Sequence, residues 1–131
     1  METTTNVFGD HEAITNLAVR DIDVARKFYE ETLGLELMHT EAHELLVFKS
    51  GNSTLHVYRS DFAGTNKATA LNFRVGDAIG EIVKALEKKG VTFERYDFPD
   101  ARHEGPLHLL GPMKVAWFKD PDGNIISLMN S

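Results

Sequence analysis

Two stretches of the chain repeat one pattern of apolar and polar positions. Each begins with a strand-like apolar run and continues through an aspartate into an amphipathic segment that reaches a glycine thirteen residues later. The residues at matching places are Val19 and Val75, Asp21 and Asp77, and Gly34 and Gly90. An aspartate side chain accepts hydrogen bonds from the free N–H groups at a helix start. A glycine takes the left-handed conformation that ends a helix. The pattern therefore predicts two helices, each preceded by a strand.

The segments after each predicted helix have the composition and turn signals of β-strands. The predicted strands are 35–40, 45–49 and 54–58 after the first helix, and 91–98, 114–118 and 125–129 after the second. Ser50-Gly51-Asn52 is a predicted turn. A segment between Phe98 and Met113, rich in Gly and Pro, is expected to be a long loop, either a lid over a site or an ordinary surface connection.

The resulting plan is βαβββ twice, which is an α+β architecture. Module 1 covers about residues 11–60, module 2 covers about residues 67–131, and residues 1–10 are predicted to be a flexible tail. A module alone has one helix and one sheet, which is too little to bury both faces. The 131 residues therefore form a single domain with a shared core, either within one chain or by exchange between two chains.

Composition narrows the classes of function. The chain has 14 Lys and Arg against 20 Asp and Glu, a net charge of −6, and no cysteine, so disulfides, thiolate metal sites and cysteine nucleophiles are excluded. The acidic balance disfavours nucleic acid as a partner. No apolar run approaches the ~20 residues that span a bilayer, and the polar start does not read as a signal peptide. We expect a cytoplasmic protein with no membrane partner.

The order of these elements resembles the vicinal-oxygen-chelate superfamily, which includes glyoxalase I, extradiol dioxygenases, fosfomycin-resistance enzymes and bleomycin-resistance proteins. The resemblance rests first on Asp21 before a helix that contains Phe28-Tyr29 and ends at Leu33-Gly34-Leu35. It rests second on the closing stretch 118–128, where a good turn sequence separates two strands. It covers roughly residues 13–130.

The resemblance implies a fold and an assembly. The tandem modules of this superfamily form a curved eight-stranded mixed sheet around a cleft, with the helices outside. Many members are homodimers that pair modules across chains. A small-molecule ligand in the cleft and a homodimer are therefore the partners that the resemblance implies for this chain.

Metal-using members of the superfamily take His and Glu ligands from the first and last strands of each module. The matching positions here are Ile14, His56, Ala70 and Ser127. Isoleucine and alanine have no donor atom, a serine hydroxyl is a poor ligand beside imidazole or carboxylate, and a catalytic metal needs about three protein ligands. We therefore expect no metal cofactor. The alternative is Zn, Ni, Fe or Mn at a non-family site that combines His56 with His103 and His108 of the long loop.

Residues two apart along a strand share a face, so counting from these positions predicts the lining of the cleft. The predicted ligand-binding residues are Ile14, Asn16, His56, Tyr58, Asn72, Arg74, Trp117, Ser127 and Met129. Trp117 faces the cleft only if Gly123 is left-handed and makes a bulge, which sets Trp117 opposite Ser127, and we favour that register. His56, Asn16 and Asn72 have structural roles as alternatives, and Arg74 is either a carboxylate ligand or a surface residue near a dimer edge. The alternate residues of the same strands are almost purely apolar and are predicted to pack against the helices.

Three functions follow from this reading. The first is a glyoxalase- or bleomycin-resistance-like protein that sequesters a small molecule without a catalytic metal. The second is an enzyme, either a metal-dependent glyoxalase-like lyase or isomerase or a dioxygenase that uses His56, or a metal-free enzyme in which His56 is the general base. The third is an accessory interaction domain with a vestigial cavity. His56 is the best candidate for a catalytic residue, and the sequence leaves open whether catalysis occurs.

Overall fold

The computed structural model describes residues 7–131, and that part of the chain contains ten strands and two α-helices. The strands are β1 Thr15–Val19, β2 Glu36–Glu41, β3 Leu45–Ser50, β4 Ser53–Arg59, β5 Thr69–Arg74, β6 Phe93–Glu94, β7 Arg102–Glu104, β8 Leu107–Leu110, β9 Met113–Lys119 and β10 Ile125–Met129. The helices are α1 Ile22–Arg26 and α2 Ile79–Lys88. The tail predicted for residues 1–10 lies mostly outside the described residues.

The strands form two sheets, one from each module. Sheet A has the order β1-β4-β3-β2, and sheet B has the order β5-β10-β9-β8-β7 with β6 also beside β9. In each sheet the strand before the helix pairs in parallel with the last strand of its module, and the other pairs are antiparallel. The α+β class and the tandem βαβββ plan are therefore confirmed. Ten strands form instead of the expected eight because the expected long loop contains the hairpin β7–β8. They lie in two mixed sheets.

The first helix forms as its sequence predicts. The side chain of Asp21 accepts hydrogen bonds from the backbone N–H groups of Asp23 and Val24, at 2.9 and 3.2 Å, and so caps the helix start. The helix then continues with π-helical bonding over Lys27–Thr32. Gly34, with φ +74°, ends it in the left-handed conformation.

The predicted cap at the start of the second helix is wrong. Asp77 lies inside a 3₁₀ turn, Gly76–Ala78, and the residue before α2 is Ala78, which has no side-chain cap. Gly76 takes φ +60°, and the 3₁₀ turn begins there, two positions before the residue that matches the start of α1. The end of the helix is as predicted, because Gly90 is left-handed with φ +93°.

The core lies between the two sheets. Phe28 meets Phe118 of sheet B with ring centroids 6.4 Å apart, and Tyr29 meets Phe48 of sheet A at 5.9 Å. The first helical segment thus contacts the apolar faces of both sheets, which we call their inner faces. The residues predicted to pack against the helices do so and belong to this core: Leu17, Val19, Leu55, Val57, Leu71, Phe73, Val75, Ile126 and Leu128. The first helical segment therefore lies between the two sheets.

A buried hydrogen-bond network joins the modules at one end of this core. The Tyr29 hydroxyl donates to Oδ2 of Asp120 at 2.7 Å, and both residues are buried. Asn124 donates from its side chain to the same oxygen and to the carbonyl of Ala18, at 2.8 Å each. The other carboxylate oxygen accepts the backbone N–H groups of Asp122 and Asn124. Burial and then the charge of Asp120 raise the pKa of Tyr29 well above its ordinary value, so the phenol keeps its proton and remains a donor.

Replacing Tyr29 with phenylalanine tests this network. The Tyr29→Phe variant keeps the ring and removes one donor from a buried carboxylate, so we expect the free energy of unfolding to fall by about 2 kcal/mol. Urea unfolding followed by circular dichroism measures it. Tyr58→Phe is the matched control, because Tyr58 is 39% exposed, and it should change stability by less than about 0.5 kcal/mol. Equal stability of the two variants would contradict the role of Asp120.

Candidate functional site

The residues predicted to line a cleft lie on the outer faces of the two sheets. On sheet A, Asn16 is paired with His56 across β1 and β4. On sheet B, Ser127 is paired with Asn72 on one side and with Trp117 on the other. The predicted register of Trp117 is therefore confirmed, and Gly123 is left-handed with φ +93° as that register requires.

Within one chain these residues form two separate groups. Both inner faces contribute to the shared core, so the two outer faces point away from each other. Asn16 donates to the carbonyl of Ile14 at 3.2 Å, whereas Asn72 accepts from the Ser127 hydroxyl at 2.9 Å, so the two asparagines bond within their own modules. Within residues 7–131, Asn16 and His56 therefore lie on a different sheet from Asn72 and Ser127.

The outer face of sheet A is open and partly apolar. Ile14 is 45% exposed and Tyr58 is 39% exposed, although both are large apolar or aromatic residues. His56 is half-buried between them, and its ring makes no hydrogen bond or ion pair within residues 7–131. This face therefore offers an imidazole that bonds to no described residue, beside exposed apolar surface.

The outer face of sheet B begins with a small polar group. Ser127 is buried and donates to Asn72, whose own Nδ2 points at the sulfur of Met129 at 2.8 Å. Arg74 is exposed, and its guanidinium has no hydrogen bond or ion pair in the described part of the chain. It remains available as a fork donor for a carboxylate or a phosphate.

An aromatic hollow of about 440 Å³ lies further across the outer face of sheet B. Its lining residues are Lys67, Ala68, Thr69, Tyr96, Asp97, Phe98, Trp117 and Ile125. The Trp117 ring lies 5.2 Å from the Tyr96 ring and 5.6 Å from the Phe98 ring, measured between centroids, and its Nε1–H donates to Thr69 at 3.2 Å. The three rings form one continuous wall, and the lining also contains one side chain of each charge, Lys67 and Asp97.

The wall exists because the chain leaves sheet B after Glu94. The sequence predicts a strand over 91–98, but only Phe93–Glu94 pairs with β9. Beyond that point β8 occupies the same edge of β9, with His108 opposite Val115. The segment Tyr96–Phe98 therefore lies over the outer face instead of within the sheet, where it covers His108 and packs on Trp117.

The two histidines of the β7–β8 hairpin hold this segment. His108 is fully buried, its Nε2 accepts the backbone N–H of Tyr96 at 2.9 Å, and its Nδ1 lies 3.1 Å from the carbonyl of Pro106. His103 Nε2 lies 3.0 Å from the carbonyl of Tyr96. A carbonyl only accepts, so Nδ1 of His108 and Nε2 of His103 carry the hydrogens. Burial, followed by the nearby His103, lowers the pKa of His108.

The sequence reasoning missed Tyr96, Phe98 and Thr69 as site residues. The signal was present in the spacing of Tyr96-Asp97-Phe98, which places two aromatic rings on one side of an extended segment directly before a proline. The loop expected from the sequence over 99–113 is also wrong, because residues 102–110 form a hairpin with buried Leu107 and His108. Proline is typical of loops, so Pro99, Pro106 and Pro112 indicated a loop where short strands form between them.

Comparisons with known proteins agree with this architecture. Residues 11–128 match the Glyoxalase/Bleomycin resistance protein/Dioxygenase superfamily. The chain belongs to this superfamily. A protein of Salmonella typhimurium strain LT2, described as a virulence protein, is 26% identical over 128 residues, which are 91% of this chain and 81% of that protein.

Two solved structures show how far the likeness of fold extends. Lactoylglutathione lyase from Agrobacterium tumefaciens has a TM-score of 0.69 at 18% identity, over 92% of each chain. A bleomycin resistance determinant encoded on the transposon Tn5 has a TM-score of 0.69 at 22% identity, over 92% of this chain and 97% of that one. At these identities the likeness concerns the fold alone.

The donor set does not fit the metal of the metal-using superfamily members. Of the four matching positions, Ile14 and Ala70 carry no donor, and the hydroxyl of Ser127 is already bonded to Asn72. In the described residues the three histidines of the non-family alternative do not lie together, because His56 is on sheet A while His103 and His108 are on sheet B. Both ring nitrogens of His108 and Nε2 of His103 bond to the backbone. Among residues 7–131, no three His, Asp or Glu side chains are grouped so as to bind a metal.

The helices of the described chain give no membrane span. None within residues 7–131 is long and apolar enough to cross a bilayer.

Truncating Phe98 tests whether the three rings form one wall. Phe98 is 40% exposed, so the Phe98→Ala variant should lose only about 1 kcal/mol of stability while uncovering one side of Trp117. Trp117 is the only tryptophan, so its emission should shift to longer wavelength and acrylamide should quench it more strongly. Phe62→Ala is the control, because Phe62 is 79% exposed and has no ring contact with Trp117. The same change in both variants would contradict the described wall.

Proposed function

We propose that the protein binds a small molecule that inserts an apolar ring into the aromatic hollow of sheet B, and that it acts by sequestration without a metal ion. The observation that carries this proposal is the wall of Tyr96, Phe98 and Trp117 on the side of a hollow of about 440 Å³. Binding sites for small molecules are typically concave, mostly apolar and aromatic, with a few polar groups that orient the ligand. Here Lys67, Asp97 and the hydroxyl of Thr69 supply those groups.

A second copy of the chain completes the site. The outer faces of sheets A and B point away from each other in one chain, so only another copy can bring sheet A opposite sheet B. β1 and β5 are edge strands, each with one unpaired edge, and such edges are prone to pair with another chain. A twofold axis would place the β1 edge of each copy near the β5 edge of its partner and form two equal clefts.

This arrangement accounts for the open surface of sheet A. The exposed Ile14 and Tyr58 would then lie opposite the hollow of the partner, and His56 and Asn16 would supply polar groups to the same ligand. The predicted ligand-binding residues would meet only in the dimer. We place this dimer in the cytoplasm, where a chain without cysteine needs no disulfide.

The free imidazole of His56 supports a second candidate function. A half-buried histidine whose ring nitrogens bond to no described residue is available as a general base in a metal-free enzyme. This candidate would be favoured over sequestration by two results together. The wild type would form lactoylglutathione, and a folded His56→Ala variant would not. Full turnover in His56→Ala would exclude it.

A charge on the outer face of sheet A tests the dimer. Ile14→Glu puts a carboxylate on an apolar position that is 45% exposed in the single chain, so it should shift native mass spectra from the dimer to the 14.7 kDa monomer. Val24→Glu is the matched control, since Val24 is 49% exposed but lies on α1. A wild-type monomer at micromolar concentration would overturn the two-chain cleft.

Fluorescence tests the hollow as a binding site. The anionic naphthalene dye ANS should bind the wild type near neutral pH, with enhanced emission and energy transfer from Trp117. Phe98→Glu, which places a carboxylate in the hollow, should weaken binding by about tenfold or more, as expected for a desolvated charge in an aromatic site. Phe62→Glu, with the same charge change, should leave it intact. Equal binding by all three proteins would show that the dye binds elsewhere, and native mass spectrometry of protein as purified would then decide whether any ligand is retained.

A further inference from the structure

We propose that His103 and His108 together position the wall of the aromatic hollow through the backbone of Tyr96, and that protonation of His108 releases this wall. We call the two imidazoles the Tyr96 clamp. The effect on a ligand rests on the proposed function, whereas the clamp itself is a property of the free protein.

The clamp replaces the strand pairing that Tyr96 lacks. A residue in a sheet bonds its N–H and C=O to a neighbouring strand, but β8 occupies the edge of β9 that β6 would otherwise follow. In the described chain the two backbone groups of Tyr96 are bonded by imidazoles alone: His108 accepts the N–H at 2.9 Å, and His103 donates to the C=O at 3.0 Å. Both histidines are on one hairpin and form a direct pair, with ring centroids 4.7 Å apart.

The clamp also sets the rings of the hollow. The His108 ring is in contact with Trp117 at 4.9 Å, with Phe98 at 6.1 Å and with Tyr96 at 6.1 Å, measured between centroids. Moving the Tyr96 backbone therefore moves two of the three rings of the wall. His103 and His108 are positioning residues, because they act on the ligand surface through Tyr96 and Trp117.

Protonation breaks the clamp at a defined atom. His108 is a neutral imidazole with its hydrogen on Nδ1, and a second proton can be added only at Nε2, which is the atom that accepts from Tyr96. In the protonated ring, the Nε2–H of His108 would face the backbone N–H of Tyr96, and neither group could accept. The ring would also carry a buried charge.

No neighbouring carboxylate offsets that charge, and burial lowers the pKa of His108 by more than the backbone hydrogen bonds with Pro106 and Val115 raise it. The hairpin contributes His103, which lowers the pKa of His108, and β9 contributes the uncharged Trp117. Tyr96 and Phe98 cover the His108 ring. Burial and then the charge of Glu94 raise the pKa of the Tyr96 phenol. Glu94 itself is ion-paired with Lys119 at 3.7 Å. No carboxylate is bonded to either imidazole within residues 7–131.

Acidification should break the clamp. Because the folded protein holds the pKa of His108 below its ordinary value, the clamp is complete above about pH 6.5, the pKa of a free histidine, and is lost as the pH falls through the lowered pKa. Binding in the hollow should therefore weaken on acidification, although the ligand itself need not titrate.

The emission of Trp117 reports the clamp directly. In the ligand-free wild type, lowering the pH from about 7.5 to about 5 should increase acrylamide quenching of Trp117 as His108 becomes protonated. The population of the open wall should rise about three- to tenfold, which is the change in an equilibrium that one lost hydrogen bond produces. ANS binding to the same samples should weaken by a similar factor.

Two variants separate a specific clamp from general acid effects. His108→Gln places a non-titrating amide oxygen near the Nε2 position, so Tyr96 remains bonded and the pH dependence should disappear. His39→Gln removes an exposed histidine of β2, whose ring is 3.7 Å from Glu41, and should retain the wild-type pH profile. An unchanged pH profile in His108→Gln, or the loss of that profile in His39→Gln, would overturn the proposal.

A measurement on the wild type keeps the test independent of any variant that fails to fold. Imidazole ¹⁵N chemical shifts should show His108 as the Nδ1–H tautomer near neutral pH and should change together with Trp117 quenching on acidification. The Nε2–H tautomer would overturn the clamp. A pH-dependent wall without ANS binding would support the clamp while contradicting the proposed function, so the two failures are distinguishable.

Discussion

The buried carboxylate of Asp120 is the point at which the two modules are joined. It accepts four hydrogen bonds: from the hydroxyl of Tyr29 in the first module, from the backbone N–H groups of Asp122 and Asn124, and from the side chain of Asn124, which also bonds to the end of β1. Leaving a buried carboxylate without its donors is costly, so this network fixes the first helix against the β9–β10 turn. The positions of both sheets depend on that contact.

Once the modules are joined in this way, the functional surfaces are determined. The helices and the apolar faces of both sheets are enclosed in one core, so the faces that carry His56 and Trp117 point outward on opposite sides. Each of these faces ends at an edge strand, β1 on sheet A and β5 on sheet B. The chain belongs to the glyoxalase and bleomycin-resistance superfamily. The proposed site, which two copies would share, would use these two outer faces.

The candidate site was only partly predictable from the sequence. Alternation along β1, β4, β5 and β10 correctly placed the outward-facing residues, and the left-handed Gly123 correctly set Trp117 opposite Ser127. Tyr96 and Phe98 were missed because their position follows from competition between β6 and β8 for one edge of β9. Two elements distant in the sequence decide that competition, and no local pattern records its result.

The sequence by itself determined the features that depend on a few neighbouring residues. These are the Asp21 cap, the glycines that end both helices, the apolar parity of the strands and the bulged turn at Gly123. It failed at Asp77, where a 3₁₀ turn precedes the helix, and at 102–110, where a hairpin replaces the expected loop. The tertiary structure alone decided that the first helical segment lies between the sheets and that two histidines hold the backbone of Tyr96. Both depend on contacts between distant segments, whose free energy is gained only when the whole core is assembled.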